Sequence, residues 1–220
     1  MSQNDNPLDV FEGESGKKLW IKLCERIEVD PKAPQHPLGS GTQGLVFELP
    51  DGSALKLTLD RQEAKAAALV ARKPDPKGNV VHAYTVLKVV NNDTDIAIWA
   101  IVMEKLKRLP PGDPFAEYAD AWGRYQMCIH PKNLDGFFDE VGVEFQDGPK
   151  WKEFCDWLAD VAEYLKGIGV MFHDLWSGNV MMRGNQHVLI DLGYSQSMKE
   201  APIDVVSRML ALAKQVEHIT

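Results

Sequence analysis

Apolar positions along the chain change period several times, and each change marks a new element. Leu19, Trp20, Leu23, Cys24 and Ile27 recur at helical spacing, which predicts an amphipathic helix ended by the Asp30-Pro31 and Ala33-Pro34 breaks. Over 38–58 the pattern shortens into two apolar runs, 45–49 and 54–57, parted by Pro50, Asp51 and Gly52, a hairpin signal. Asp60 then stands where a cap is wanted for a helix over 62–72, which is built almost wholly of good helix formers and stopped by Lys73-Pro74. Residues 84–90 and 95–103 are β-rich runs joined by a polar turn at 91–94. The order read from this half is β-β-β-α-β-β, an antiparallel sheet with one helix.

The run Leu-Pro-Pro-Gly-Asp-Pro at 109–114 replaces periodic structure with rigid turns and is the expected boundary between two lobes. The division expected is a helical extension over 1–34, a β-rich lobe over 35–108 and a mostly helical lobe over 109–220. Within the last, a helix is expected around 115–125 and a loop over 131–136. Phe154, Trp157, Leu158, Val161, Leu165 and Ile168 form a buried helical stripe that ends at Gly167 and Gly169. Val188, Leu189 and Ile190 read as a short buried strand, and Pro202 as the start of a final helix carrying Val206, Met209, Leu210, Ala213 and Val216. The fold class expected is α+β, with two small lobes around a cleft.

Composition narrows the function classes. With 45% hydrophobic and 25% charged residues the chain has the make-up of a soluble globular protein. A net charge of −8 without a basic run argues against direct nucleic-acid binding. The polar start lacks an apolar signal core and no stretch is long enough to span a bilayer, so no membrane role and a cytoplasmic location are expected. Cys24, Cys128 and Cys155 have no metal-like spacing and sit among apolar neighbours, which suits reduced structural thiols.

Candidate chemistry comes from three stretches in a fixed order. In GSGTQG over 39–44, the residues Gly39, Ser40, Gly41, Thr42 and Gly44 make a flexible cover whose backbone can approach phosphate oxygens. In isolation the same letters read as a glycine-rich hairpin turn. Lys56 lies mid-strand between Leu55 and Leu57, so it leaves on the opposite face from both, where it would meet an anion or, at a sheet edge, water. Glu63 on the following helix is its natural counter-charge, the alternative being an exposed helix glutamate. In HDLWSGN over 173–179, Asp174 would accept the proton of an acceptor hydroxyl and Asn179, five residues on, would place an oxygen on magnesium. Asp191, twelve residues after Asn179, supplies the carboxylate that a hard divalent cation prefers. Each of these three also has a reading as a turn-capping residue. Taken together they are the parts of ATP-dependent phosphoryl transfer: catalytic Asp174, Lys56 and Glu63, with Asn179 and Asp191 as metal ligands.

LGSGTQGLVF, ALKL, IVMEKL, FHDLWSGNVMM and LIDLG resemble the ordered signatures of the protein-kinase-like fold, over roughly residues 38–193. The resemblance implies a bilobal protein-kinase-like architecture with a reduced helical C-lobe, ATP and Mg2+ as cofactors, Met103 as gatekeeper, Glu104 and Leu106 presenting backbone groups to adenine, and Val46 and Ala54 flanking the base. Departures are specific: His173 replaces an arginine, Trp176 a lysine, and Leu192 a phenylalanine, while 27 residues after Gly193 leave no room for a long activation segment. This truncated form resembles the early serine/threonine kinase domain of lytic short-tailed bacteriophages, which implies host proteins as substrates. Aminoglycoside and choline kinases share the loop ending but carry a large helical lobe after the metal aspartate. A non-catalytic, nucleotide-retaining inhibitor of a host protein is the alternative from another class.

Overall fold

The computed structural model describes residues 7–33, 37–41, 44–127, 149–170 and 175–192, apart from the side chains at 40, 41 and 124–127. The protein is α+β, and its described residues fall in two compact units, one within Met1–Pro74 and His82–Lys105, the other within Asp75–Val81 and Leu106–Thr220. This division differs from one made along the chain, because a short strap after the helix that bears Glu63 packs with residues far downstream of it. The expected final helix from Pro202 and the loop at 131–136 lie outside the described residues.

In the first unit, a 3-10 turn (Pro7–Phe11) leads into α1 (Gly13–Arg26). Five strands follow: β1 (Pro37–Gly41), β2 (Gly44–Glu48), β3 (Ser53–Thr58), β4 (Ala83–Asn91) and β5 (Ile96–Glu104). They form one antiparallel sheet in the order β1-β2-β3-β5-β4. Asp95 was expected inside the last of these strands, but its positive φ of 55° places it in the turn before Ile96. Helix α2 (Arg61–Arg72) starts where Asp60 accepts a hydrogen bond from the Gln62 N–H at 2.7 Å, an N-cap of the expected kind.

Alternation along the strands gives the sheet two distinct faces. Phe47, Leu55, Leu57, Val89, Ile98 and Ala100 point to one face and pack with Val10 of the turn and Leu23 of α1. The buried Asn91 side chain seals this layer, donating to the Val10 carbonyl at 2.9 Å and accepting from the Ser15 hydroxyl at 3.2 Å. The N-terminal helix is therefore part of the first unit's core and not a separate extension.

The second unit contains α3 (Pro114–Met127), α4 (Pro149–Gly167), a 3-10 turn (Ser177–Asn179) and a small antiparallel sheet β6-β7-β8, with β6 at Lys107–Arg108, β7 at Val180–Arg183 and β8 at Gln186–Leu189. The sequence pattern marked only the last of these strands. β7 was missed because Val-Met-Met-Arg is too short a run for a period to show, even with the turn residues Ser177, Gly178 and Asn179 before it. Helix α4 ends as its glycines predict: Gly169 takes φ +74°, with Val170 N–H bonded to Leu165 O at 2.9 Å and Gly169 N–H to Lys166 O at 3.1 Å. Phe115, Trp151, Phe154, Trp157 and Tyr118 fill the space between the helices with mostly edge-to-face contacts.

The strap Asp75–Val81 is knotted by its own first residue. The Asp75 carboxylate accepts from the N–H groups of Lys77, Asn79 and Val80 at 3.0, 2.6 and 3.1 Å. Arg183 donates to Gly78 O at 2.6 Å and Gln186 to Lys77 O at 2.7 Å, while Val80 and Leu189 form a parallel bridge. Lys77 reaches Asp160 on α4 at 2.6 Å.

Candidate functional site

The second face of the five-stranded sheet carries the residues read as nucleotide contacts. Register places Val46 opposite Lys56, Lys56 opposite Ile101 and Ala54 opposite Met103, so Gly44, Val46, Ala54, Lys56 and Met103 share one side. Leu55 and Leu57, with 0% exposure, hold the opposite side in the core, which fixes the direction in which Lys56 leaves the strand.

Lys56 forms an ion pair with Glu63 of α2. The pair is largely out of water, with side-chain exposures of 15% for Lys56 and 7% for Glu63. A lone buried charge would be costly, whereas a matched pair is tolerated when geometry is good. α2 is able to bring Glu63 in because the residues beside it on the buried stripe, Ala64, Ala66 and Ala67, are small enough for close packing. Of the two readings open for Glu63, the exposed helix glutamate is excluded by this burial.

The glycine segment is a strand connection: Gly41 of β1 pairs with Gly44 of β2 across the turn. Thr42 lies outside the described residues, as does the side chain of Ser40. Gly44 has a specific reason to be glycine, since a Cβ there would lie 3.2 Å from Lys56 Cε and 3.0 Å from Leu57 O. The absent side chain leaves room for the lysine stem to run along β2.

Asn179 and Asp191 are gathered by the β7–β8 hairpin in the second unit. Asn179 immediately precedes β7 and Asp191 lies just beyond β8, whose register pairs Val180 with Leu189. One further bond closes this open end of the hairpin: Ile190 N–H donates to Asn179 O at 2.9 Å. Two oxygen-bearing residues twelve apart in sequence thus emerge from adjacent backbone. Their donor types, an amide oxygen and a carboxylate, suit a hard cation such as magnesium. Among the described residues no group of three or more His, Cys, Asp or Glu side chains comes together to hold a metal.

His173 and Asp174 lie outside the described residues. At Glu104 the backbone N–H is committed to His82 O at 3.0 Å, and the Glu104 carboxylate accepts from His82 N–H at 2.6 Å. An adenine contact at this residue would therefore use its carbonyl and not its N–H. Met103, paired with Ala54, is 8% exposed, and Leu106, in the second unit, is half-buried.

Two features escaped the sequence reading. His187, to which no role was given, is buried, stacks on Phe115 with 3.4 Å between ring centroids, and sits 3.2 Å from the Asp113 carboxylate. Asp120 of α3 accepts a hydrogen bond from the Ser177 N–H at 2.8 Å. A signal for the second existed in Gly123, an isolated glycine in a helical run, which commonly marks a close approach.

Burial is the largest cause of two raised values in the second unit: it raises Tyr164 to about 12, helped by Asp75, and Cys155 to about 12, helped by Asp156 and opposed by Lys152. Cys24 and Cys155 are free and buried, which fits structural thiols; Cys128 lies outside the described residues. No helix among the described residues is long and apolar enough to cross a membrane. Searches against models of known protein families and against curated proteins each found no match to this chain.

Proposed function

We propose that the chain is an ATP-dependent phosphotransferase of the protein-kinase-like kind, which transfers phosphate to serine or threonine hydroxyls of protein substrates. The observation that carries this reading is the water-excluded Lys56–Glu63 pair, set on the sheet face shared by Gly44, Val46, Ala54 and Met103. A buried lysine held by a helix glutamate beside a glycine-rich strand connection is a device for aiming a cation at phosphate oxygens. The hairpin that brings Asn179 and Asp191 to adjacent backbone supports the same reading from the other unit.

In the mechanism, Lys56 binds and orients the phosphates, and Glu63 holds the lysine in its working rotamer. Val46, Ala54 and Met103 offer an apolar bed for the base. Asn179 and Asp191 would hold the cation, which would supply neutralisation of phosphate charge. Asp174 would accept the proton of the acceptor hydroxyl as its oxygen bonds to the γ-phosphorus, the bond from that phosphorus to the β–γ bridging oxygen breaks, and ADP leaves. The resemblance of the motifs to those of phage kinases extends the proposal to proteins of a bacterial host as acceptors.

The test is incubation of the chain with γ-labelled ATP, Mg2+ and a bacterial lysate, beside a panel of aminoglycosides and choline. Labelled protein bands are expected, lost in Asp174→Asn while nucleotide binding persists. Label in the small molecules alone would replace the protein substrate with a metabolite or antibiotic. No label anywhere, with undiminished binding of a host protein by an Asp174→Asn, Asp191→Asn double variant, would leave the inhibitor reading.

A further inference from the structure

We infer that Asp120 is a positioning residue for the cation-binding end of the β7–β8 hairpin, an inference that rests on the phosphotransferase reading of Asn179 and Asp191. Helix α3 carries Asp120 and, one turn on, Gly123. The Asp120 carboxylate accepts from Ser177 N–H at 2.8 Å, at the first residue of the 3-10 turn that ends in Asn179. Gly123 permits the same approach from beside it: a Cβ there would lie 2.6 Å from Leu175 O and 2.7 Å from Trp176 Cδ2. The 3-10 turn has no side-chain cap of its own at Trp176, so the bond from α3 takes that part.

From Asp120 a continuous set of bonds reaches the candidate ligands. Asn179 N–H donates to Trp176 O at 2.9 Å, fixing the turn, and Ile190 N–H donates to Asn179 O at 2.9 Å, fixing the residue before Asp191. The turn spans only Ser177–Asn179, too short to keep its own geometry without outside support. An aspartate on a rigid helix gives that support with a charge-assisted bond to a backbone N–H. Asp120 touches neither phosphate nor cation in this account; it acts through Ser177 and Asn179.

The test pairs Asp120→Ala with Asp120→Asn, which keeps an oxygen where the bond is made. Two readouts independent of turnover are taken: Mn2+ binding by electron paramagnetic resonance with a non-hydrolysable ATP analogue, and amide hydrogen exchange. In Asp120→Ala the Mn2+ affinity is expected to fall by about tenfold to a hundredfold, with exchange faster at Ser177, Asn179 and Ile190 but not in α4. Asp120→Asn is expected to restore most of both. In turnover, Asp120→Ala should raise the Mg2+ needed for half-maximal rate more than it lowers kcat at saturating Mg2+. An Asp120→Ala protein that binds Mn2+ as the wild type does would overturn the positioning role alone. A wild type that binds no Mn2+–nucleotide would overturn the phosphotransferase reading, and the positioning role with it.

Discussion

The two units present their candidate residues by different physical means. In the first, Gly44, Val46, Ala54, Lys56 and Met103 ride on long strands, and Glu63 on a capped helix, so the side-chain period decides where each points. In the second, Asn179 and Asp191 sit at junctions where regular structure stops, and the bonds that hold those junctions include ones made by residues remote in sequence. A face set by periodicity is redundant, because every neighbouring residue of the strand votes for it. A junction has no side-chain period behind it, so its geometry depends on particular hydrogen bonds.

The strongest way to break this contrast is to attack an interaction of the first unit that strand periodicity alone does not supply, the Lys56–Glu63 pair. On the proposed phosphotransferase reading, Lys56→Met is expected to lower kcat/KM by about a hundredfold to a thousandfold, since it would remove the cation that meets the phosphates. It should also destabilise the fold by about 3–5 kcal/mol, because Glu63 is left buried without its counter-charge. The double variant Lys56→Met, Glu63→Leu separates the two effects: removing both charges is expected to restore most of the stability and none of the activity. Thermal unfolding and phosphoryl-transfer assays on the single and double variants check this. Restored activity in the double variant would make the pair structural only.

A second comparison sets the core of one unit against the polar clips of the other. Leu57→Ala, at a fully buried strand position, is expected to cost about 2–5 kcal/mol of stability through lost burial and the cavity left behind. Arg183→Met keeps the bulk but leaves the Gly78 carbonyl without its donor, and is expected to cost about 1–3 kcal/mol. Denaturant midpoints decide the order. If Arg183→Met proves the more damaging, the strap is held by that clip more than its other hydrogen bonds imply.

This contrast also explains what could be read from the amino acids. The order of elements along the first half, the hairpin at Pro50, Asp51 and Gly52, the Asp60 cap and the buried stripe of α4 were all legible, because each rests on local chemistry or a period. The Lys56–Glu63 pair was one of two readings that the pattern left open, and the burial of Glu63 decides between them. What was not legible is long-range: that Asp75–Val81 joins the second unit, that β6 and β7 complete a sheet with β8, and that Asp120 caps a turn far downstream. Nothing in a window of neighbouring residues announces a carboxylate that will bond an N–H more than fifty positions away.

The smallest effect compares one buried thiol from each unit. Cys24 in the first is raised from 9.0 to about 11, by burial and then by the Asp30 charge, and Cys155 in the second from 9.0 to about 12, mainly by burial. A folded value above the unfolded one means that both thiols are protonated in either state below about pH 8.5, where the stability they contribute is fully present. Between there and the folded values the unfolded chain sheds its protons first, so stability falls as pH rises. Each thiol contributes a slope of about 1.4 kcal/mol per pH unit within its window, which closes near 11 for Cys24 and near 12 for Cys155. Because the thiolate is the nucleophile, iodoacetamide should label Cys24 before Cys155 in the folded protein, with both rates rising about tenfold per pH unit up to the lower value. Peptide mapping by mass spectrometry reads the two sites separately. If Cys155 were labelled first, α4 would be opening more readily than α1, and the helix packed among aromatics would be the less stable of the two.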